Sequence, residues 1–221
     1  MKRLSLPLYA LAFGLVLTSC QNTETSKTTK KADVAKKSEI AQVYKVDTNE
    51  SYLEWEGAKP AGKHFGKLKL KNGEISVLND TLEAGEFTID MASITVEDLT
   101  GSDREDLEMH LKGTAEGKED HFFDVNKHPE ANFEITEVNK ENSAYKINGN
   151  LTIKGETKNI SFPVDLSFDD KKKTLKLSTN DITIDRTEWG INFMSKSIMD
   201  NVKDKFINDE IKIKFALKAH Q

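Results

Sequence analysis

The sequence predicts an all-β domain whose antiparallel strands close into a barrel. Apolar and polar residues alternate along most segments after residue 42, short polar turns join these segments, and helical periodicity is scarce. The pattern indicates about eight to ten strands, each with one apolar face. A sheet with a single apolar face must close on itself or pack on another sheet, and closure into a barrel removes the exposed edges.

The alternation assigns each side chain of a strand to the inside or the outside of the barrel. We expect the odd-numbered residues of 145–153 and 211–217, and the even-numbered residues of 160–168, to point inward, while their neighbours are solvated. Further inward rows are Ile75 and Val77; Phe87, Ile89 and Met91; Ala131, Phe133 and Ile135; Leu175 and Leu177; and Ile182 and Ile184. The last two rows are out of phase, which predicts a bulge or bend near 178–181.

One or two short helices interrupt the strands. The first is indicated by a capping box formed by Ser102 and Glu105. Leu107 and Leu111 then lie one turn apart, and Gly113 ends the helix. A second short helix is expected within 194–206, where Ile198 and Val202 would share one face.

Composition and charge narrow the classes of function. The chain has 221 residues with 32 basic and 37 acidic side chains, so its formal net charge is −5. This acidic balance argues against a nucleic-acid partner, because general nucleic-acid binders carry a basic surface. Cys20 is the only cysteine, which excludes an intrachain disulfide and zinc sites built on several thiolates.

The first forty residues predict export and a membrane anchor. Residues 1–19 have a positive start, an apolar stretch and small residues before Cys20, as signal peptides do. The position of Cys20 resembles a bacterial lipobox, in which the cysteine is diacylated; an ordinary signal peptide with a coincidental cysteine is the alternative. Residues 20–41 are rich in Thr, Ser and Lys and are expected to form a flexible tether, and residues 42–221 form the barrel domain.

Few side chains are candidates for catalysis, metal binding or ligand binding. His110, His121 and His128 are too widely spaced for a compact metal site, so capping, packing or surface roles are favoured and no metal is expected. By parity, His64 and Arg186 face inward. For His64 the alternatives are a structural hydrogen bond or a polar group at the mouth of a cavity, and for Arg186 a salt bridge or the anchoring of a ligand headgroup. Neither a nucleophile elbow nor a phosphate loop nor a zinc-protease helix is present in the sequence.

A series of short motifs follows in order along residues 43–219. They are YKVD at 44–47, Trp55, HFG at 64–66, DMASI at 90–94, HL at 110–111, FFD at 122–124, HP at 128–129, ANF at 131–133, GNLTIKG at 149–155, and Arg186 followed by WGI at 189–191. In this order they resemble the YceI-like polyisoprenoid-binding proteins. One departure is His128, which stands where the family usually has a tyrosine.

The resemblance implies an eight-stranded antiparallel barrel, lipocalin-like in shape, that encloses a long isoprenoid chain of the quinone or polyprenyl type. It implies binding without catalysis, no cofactor other than the lipid, and a secreted or periplasmic protein. Together with the lipid anchor predicted at Cys20, this predicts a location in the bacterial cell envelope, with the barrel in the periplasm or on the cell surface. Combined with the inward rows, it assigns His64 and Arg186 to the polar end of the ligand. The residues assigned to the tail are Trp55, Phe87, Phe133, Ile147, Leu151, Phe162 and Phe215.

Two other functions remain open from the sequence. The barrel could be an enzyme that acts on a lipid or quinone in the same cavity. Buried polar groups that hydrogen-bond to one another beside an open pocket would favour this function. Alternatively, a barrel filled by its own side chains would be a structural or interaction protein. The expected partners are the isoprenoid lipid and, through Cys20, a membrane; a homodimer is left open.

Overall fold

The computed structural model of the chain describes residues 25–141, 144–169, 171, 173–199 and 205–221. The predicted signal peptide and the predicted lipidation site Cys20 lie outside these residues. Among these residues, one helix, α1, spans Gly101–Lys112, and a 3-10 turn spans Arg186–Trp189. The strands are β1 Thr29–Lys30, β2 Gln42–Val46, β3 Tyr52–Lys59, β4 Gly62–Leu78, β5 Thr81–Val96, β6 Glu130–Glu141, β7 Ala144–Ile153, β8 Glu156–Asp169, β9 Thr174–Ser178, β10 Ile182–Asp185 and β11 Glu210–His220.

Eight strands close into an antiparallel ring, which confirms the predicted barrel. Each strand pairs with the next in the order β3, β4, β5, β6, β7, β8, β9 and β11, and β11 pairs back with β3. The short strands β2 and β10 both pair with β11 and lengthen the wall. Asn79 and Asp80 form the tight turn between β4 and β5 with φ of 49° and 58°, the left-handed geometry that two-residue hairpins favour.

Burial of the side chains confirms the predicted alternation. The inward residues Ile147, Phe162 and Phe215 are all less than 5% exposed. The neighbouring side chains Lys212 and Lys214 lie on the outside, where their ammonium groups are 3.6 Å from Glu56 and 3.5 Å from Glu54. The interior is therefore apolar, and the charged residues of the same strands face solvent.

The predicted break between β9 and β10 is also present, at residues 179–181. Thr179 is buried there and exchanges two hydrogen bonds with Phe215 of β11. Its N–H donates to the Phe215 carbonyl (3.1 Å), and its hydroxyl accepts from the Phe215 N–H (3.0 Å). These bonds keep β11 paired through the break. As a result, the odd-numbered residues of β9 and the even-numbered residues of β10 face the same interior.

Helix α1 is confirmed, but its predicted start is wrong. Thr100, not Ser102, is the N-cap residue, and its side chain makes no capping hydrogen bond. Gly101 has φ of +60°, so the chain turns into the helix before it reaches Ser102. The predicted end is correct: Gly113 is left-handed, and a Cβ atom there would lie 2.2 Å from the Glu119 carbonyl oxygen.

The second predicted helix does not form over residues 194–199. The remainder of the predicted range includes residues 200–204, which lie outside the described residues. Met194 has φ of +53°, and the Ser195 N–H donates to the Asn192 carbonyl (3.0 Å). The Ile207 N–H donates to the Met194 carbonyl (2.9 Å), which joins the segments 190–199 and 205–209. The Met199 N–H donates to the Ser195 carbonyl (3.0 Å), as in one helical turn, but residues 194–199 form turns and not a helix.

Residues 25–41, which the composition predicts as a flexible tether, lie along the outside of the barrel. The Ser26 N–H donates to the Thr183 carbonyl (2.7 Å), and β1 adds to the edge of β8. Further along, the Ala35 N–H donates to the Ile135 carbonyl (2.9 Å), and the Ser38 hydroxyl donates to Glu83 (2.9 Å). This N-terminal segment, residues 25–41, therefore has fixed backbone partners on several strands.

Asn150 holds the middle of the N-terminal segment. It lies on the outward face of β7, where a solvated side chain was expected, but it is fully buried. Its Oδ1 accepts from the Ala32 N–H (3.0 Å) and its Nδ2 donates to the Ala32 carbonyl (2.8 Å), as a paired strand would. Asn159 also donates to Asn150 Oδ1 (3.1 Å). The expectation of a wet outer face is wrong here because the N-terminal segment covers it.

We expect Asn150→Ala to lower the free energy of unfolding by about 1–3 kcal/mol, because it leaves both backbone groups of Ala32 without their partner. Urea denaturation measures the change. Asn148→Ala is the matched control, since that amide donates to Glu137 at an exposed position of the same strand. Equal effects of the two substitutions would contradict the docking role of Asn150.

Candidate functional site

An apolar cavity of about 270 Å³ lies at one end of the barrel, beside α1 and the segments 190–199 and 205–209. Its wall combines inward residues of the strands, such as Leu68 and Ile89, with Leu111 of α1 and Phe193 of the loop. The polar side chains among its described lining residues are Glu56, Lys59, His64, His110 and Arg186. A concave apolar surface with a few polar groups is the usual form of a small-molecule site.

His64 lies in this wall, as its parity predicted, and is held by Asp98. The His64 Nδ1 and Asp98 Oδ2 atoms are 2.8 Å apart, and Asp98 Oδ1 accepts from the Phe65 N–H (3.0 Å). Burial alone would raise the pKa of Asp98, but the hydrogen bonds from Phe65 and His64 outweigh it and lower that pKa. The Asp98 carboxylate therefore stays charged and orients the His64 ring. When His64 is neutral and carries its proton on Nδ1, its Nε2 atom can accept a hydrogen bond.

Arg186 also reaches the cavity wall, but its N–H groups donate to backbone carbonyls of the segments 190–199 and 205–209. It is 2% exposed, and Nε, Nη1 and Nη2 donate to the carbonyls of Asn208 (3.0 Å), Ile191 (2.6 Å) and Ile207 (3.0 Å). Asp209 lies 3.5 Å from Nη2. Burial lowers the pKa of the guanidinium, and the charge of Asp209 opposes that effect. These contacts are those of a structural residue; an interaction of Arg186 with a ligand headgroup stays a prediction.

The residues predicted to line the tail site divide into two groups. Trp55 and Leu151 line the cavity together with His64 and Arg186. The other five lie one layer deeper, around a void of only about 10 Å³, and do not line the cavity; they are Phe87, Phe133, Ile147, Phe162 and Phe215. The sequence could not separate the groups, because both occupy inward positions of the same strands.

We call the four phenylalanines Phe87, Phe133, Phe162 and Phe215 the aromatic layer. Phe133 is at its centre, with ring centroids 6.3 Å from Phe87, 5.6 Å from Phe162 and 6.0 Å from Phe215. Phe162 and Phe215 are stacked at 6.2 Å. All four are at most 4% exposed. The aromatic layer therefore fills the cross-section of the barrel beneath the cavity.

Two aromatic neighbours of the cavity were missed as site residues. His110 of α1 lines the cavity and lies 2.8 Å from His121, from Nε2 to Nδ1. Phe193 stacks on His121 with centroids 3.9 Å apart and contacts His110 edge-on at 5.1 Å. The helical spacing of His110 from Leu107 could have indicated its position, whereas nothing in the sequence indicates that Phe193 folds back onto this pair.

Burial lowers the pKa of His110 below its ordinary value of 6.5, and the positive charges of Lys118 and His121 act in the same direction. The unfolded chain thus binds the His110 proton at a higher pH than the folded protein does. Stability is therefore retained above pH 6.5 and declines as the pH falls below it towards the lowered pKa.

We expect this decline to be smaller in His110→Asn, which has no proton to bind at that site. Urea denaturation of both proteins at pH 7.5 and at pH 5 measures the difference. Equal pH dependence of the two proteins would show that His110 does not control it.

No group of three or more His, Cys, Asp and Glu side chains is placed to hold a metal ion within the described part of the chain. Among the same residues, no helix has the length and apolar character needed to cross a membrane.

Solved structures of known proteins share this fold. BcnA of Burkholderia cenocepacia is 22% identical, with a TM-score of 0.62 over 79% of this chain and 99% of that chain. A polyisoprenoid binding domain from Saccharophagus degradans, implicated in plant cell wall breakdown, is 10% identical, with a TM-score of 0.56 over 80% of this chain and 97% of that chain. At these identities the likeness concerns the fold alone.

Sequence comparisons identify the family. A UPF0312 protein of Pectobacterium atrosepticum is 47% identical over 45 residues, which is 20% of this chain and 23% of that protein. The chain thus matches about a quarter of the length of this relative. The family model of the YceI-like domain matches residues 44–219, which include the whole ring of strands apart from the last residue of β11. The chain therefore belongs to the YceI-like domain family.

Proposed function

We propose that this protein binds the prenyl chain of a polyisoprenoid lipid in the cavity and carries it at the bacterial cell envelope without catalysing a reaction. The observation that carries the proposal is the apolar cavity of about 270 Å³ at one end of an otherwise filled barrel. The structural neighbour from Saccharophagus degradans, described as a polyisoprenoid binding domain, supports the same class of ligand.

A prenyl chain suits the shape and chemistry of the wall. Burial of apolar surface contributes roughly 0.8 kcal/mol for each CH₂ group that leaves water, so a branched hydrocarbon gains affinity along its whole enclosed length. Trp55 supplies a flat apolar surface, and its indole N–H is already satisfied by the Thr95 carbonyl (3.1 Å). The wall therefore offers the tail few competing polar groups.

The polar end of the ligand belongs near His64 and Lys59. With Nδ1 directed to Asp98, the His64 ring can accept a hydrogen bond at Nε2, for example from a hydroxyl headgroup. Lys59 adds a positive charge to the same wall, which suits a phosphate. Binding is favoured over catalysis because Arg186 and His110 are engaged with protein groups and the described lining residues include no serine, threonine or cysteine.

Lipid analysis of the purified protein tests this function. The full chain is extracted from the cell envelope in mild detergent, and the lipid that remains bound after gel filtration is identified by mass spectrometry. We expect a prenyl lipid in a nearly constant ratio to protein. Recovery of no lipid, or only of the phospholipids that the detergent micelles contain, would contradict the proposal.

The envelope location rests on the signal peptide and on diacylation of Cys20, both proposed from the sequence. Two or more acyl chains would hold the protein stably at a membrane. We expect Cys20→Ala to move the protein from the membrane fraction to the soluble envelope fraction in cell fractionation. A variant that stays membrane-bound, together with a native protein that carries no acyl mass, would contradict the anchor.

A further inference from the structure

The wall of the barrel has a seam between β8 and β10. Strands β9 and β10 follow one another along the edge of β11 that lies away from β3, but only β9 pairs with β8, from Asp165 to Asp169. Among the described strands, no strand of the ring pairs with residues 156–164 of β8 on the edge that faces β10. We call the gap between residues 156–164 and residues 182–185 the seam.

Residues 25–30 occupy the seam as an additional strand would. The Ser26 N–H donates to the Thr183 carbonyl of β10 (2.7 Å). The Ser26 hydroxyl donates to the Ser161 carbonyl of β8 (3.0 Å) and accepts from the Ser161 N–H (3.3 Å). The short strand β1 then pairs with β8. One stretch of the N-terminal segment therefore connects both edges of the seam.

This stretch is held less firmly than the strands of the ring. Its sequence, TSKTTK, has no apolar side chain, whereas every strand of the ring buries apolar residues. The Ser161 Oγ and Thr183 Oγ1 atoms, on the two residues that Ser26 contacts, are buried without a hydrogen-bond partner among the described protein groups. Their lost hydration opposes the docking of residues 25–30. The stretch can therefore separate from the wall at a smaller cost than a strand of the ring.

The seam lies beside the cavity. Ile184 of β10 follows Thr183 directly, is fully buried and lines the cavity. On the other side of the seam, Leu151 of β7 lines the cavity and pairs with Lys158 of β8. Removal of residues 25–30 would therefore open the wall next to apolar residues of the cavity.

The same stretch lies close to the proposed membrane anchor. Thr25 follows Cys20 by five residues, and a chain of five residues spans at most about 18 Å. Lys27, Lys30 and Lys31 are exposed in and next to this stretch, and lysines near a membrane are attracted to anionic headgroups. An acyl anchor at Cys20 would therefore hold the seam near the membrane surface.

We propose that the seam is a lateral entrance to the cavity, which residues 25–30 close and through which a prenyl chain passes from the membrane when this stretch leaves the wall. A chain that enters sideways exchanges the membrane for the apolar wall with little exposure to water. The inference rests on the proposed function and adds the route by which the lipid reaches its site. The rate of uptake then depends on how firmly residues 25–30 are held, whereas the amount bound at equilibrium does not.

Two disulfide locks test the entrance. Thr25→Cys with Thr183→Cys ties the stretch to β10, and the two residues are partners in a β-bridge. Lys30→Cys with Lys158→Cys ties it to β8, where they are partners in the strand register. Partners on neighbouring strands have the Cα separation that a disulfide needs. Both pairs are made in Cys20→Ala, so that no other cysteine is present. Because the seam is one strand wide, either lock keeps it closed.

Uptake is measured from vesicles of phosphatidylcholine and phosphatidylglycerol that contain ubiquinone, by quenching of tryptophan fluorescence, since Trp55 lines the cavity. We expect each oxidised lock to slow uptake by a factor of at least about ten, and prior reduction of the disulfide to restore the rate. The control pair is Asn139→Cys with Lys146→Cys, which joins β6 to β7 at exposed positions outside the seam. Its rate should be the same in both redox states.

Ser26→Pro should have the opposite effect. It removes the N–H and the hydroxyl that bond to Thr183 and Ser161, and we expect uptake to accelerate by a factor of at least about three. The matched control is Ser38→Pro, because Ser38 uses its N–H and its hydroxyl on Glu83, in the same N-terminal segment but outside the seam. Circular dichroism confirms that each variant is folded.

The possible failures can be told apart. If either lock fails to form or leaves the rate unchanged, or if Ser26→Pro accelerates uptake no more than Ser38→Pro does, residues 25–30 do not close an entrance and the proposed function stands. Equilibrium titration with farnesol, a short prenyl alcohol, tests the function without a membrane. If the Cys20→Ala protein binds neither farnesol nor ubiquinone, the proposed function fails and the lateral entrance fails with it.

Discussion

Phe162→Asp is expected to leave the domain largely unfolded at neutral pH. Phe162 is 4% exposed and packs against Phe133 and Phe215 in the aromatic layer. Loss of the ring costs about 3–5 kcal/mol, and an unpaired carboxylate in this apolar interior costs several kcal/mol more. Together these terms approach the whole stability of a typical domain, about 5–15 kcal/mol.

Far-UV circular dichroism and a thermal melt measure this effect. The matched control is Ser167→Asp, which places the same carboxylate on the outward face of β8, opposite Lys176 of β9. We expect the control to unfold at nearly the native temperature. A Phe162→Asp protein with a native melting curve would show that the even-numbered residues of β8 do not face the interior.

Ala131→Phe is expected to abolish most ligand binding without unfolding the barrel. Ala131 is 2% exposed and lines the cavity from β6. Phenylalanine adds a six-carbon ring to this side chain, and the ring would project into the space that the prenyl chain needs. We expect the affinity for farnesol to decrease by a factor of about 100, or about 2.7 kcal/mol of binding free energy.

Fluorescence titration with farnesol measures this loss, and a thermal melt reports any destabilisation from overpacking, which is typically about 1–3 kcal/mol. Ala144→Phe is the matched control, because Ala144 is exposed at the start of β7. Native affinity in Ala131→Phe would mean that the prenyl chain binds elsewhere and that the cavity is not the site. Equal losses in the two variants would point to a general effect of the added ring.

The strands and the inward faces could be predicted from the sequence because they depend on local geometry. Successive side chains of a strand point to opposite faces, so the alternation around Ile147 or Phe215 decides which residues are buried wherever the strand lies in the sheet. The break between β9 and β10 followed from the same rule. Gly113 ended α1 as predicted, since the left-handed residue after a helix is a local requirement.

The conformations of the N-terminal segment and of the segments 190–199 and 205–209 could not be predicted, because distant groups decide them. The composition of residues 25–41 is that of a spacer, but Asn150, more than a hundred residues away, supplies a partner for both backbone groups of Ala32. Likewise, Arg186 donates to the carbonyls of Ile191 and Ile207 and so fixes the positions of these two residues. Parity placed Arg186 inside the barrel, but only the folded loop shows which acceptors it has.

The sequence by itself determined that this protein is a β-barrel with an apolar interior, that Trp55, His64 and Leu151 face that interior, and that its motifs are those of a YceI-like domain. Only the tertiary structure decided which inward residues border open space and which fill it. Phe87 and Ile89 share one strand and one face, yet Phe87 lies in the aromatic layer and Ile89 in the cavity wall. The physical reason is that parity specifies the face of a residue, whereas its depth along the barrel depends on the register and packing of all eight strands.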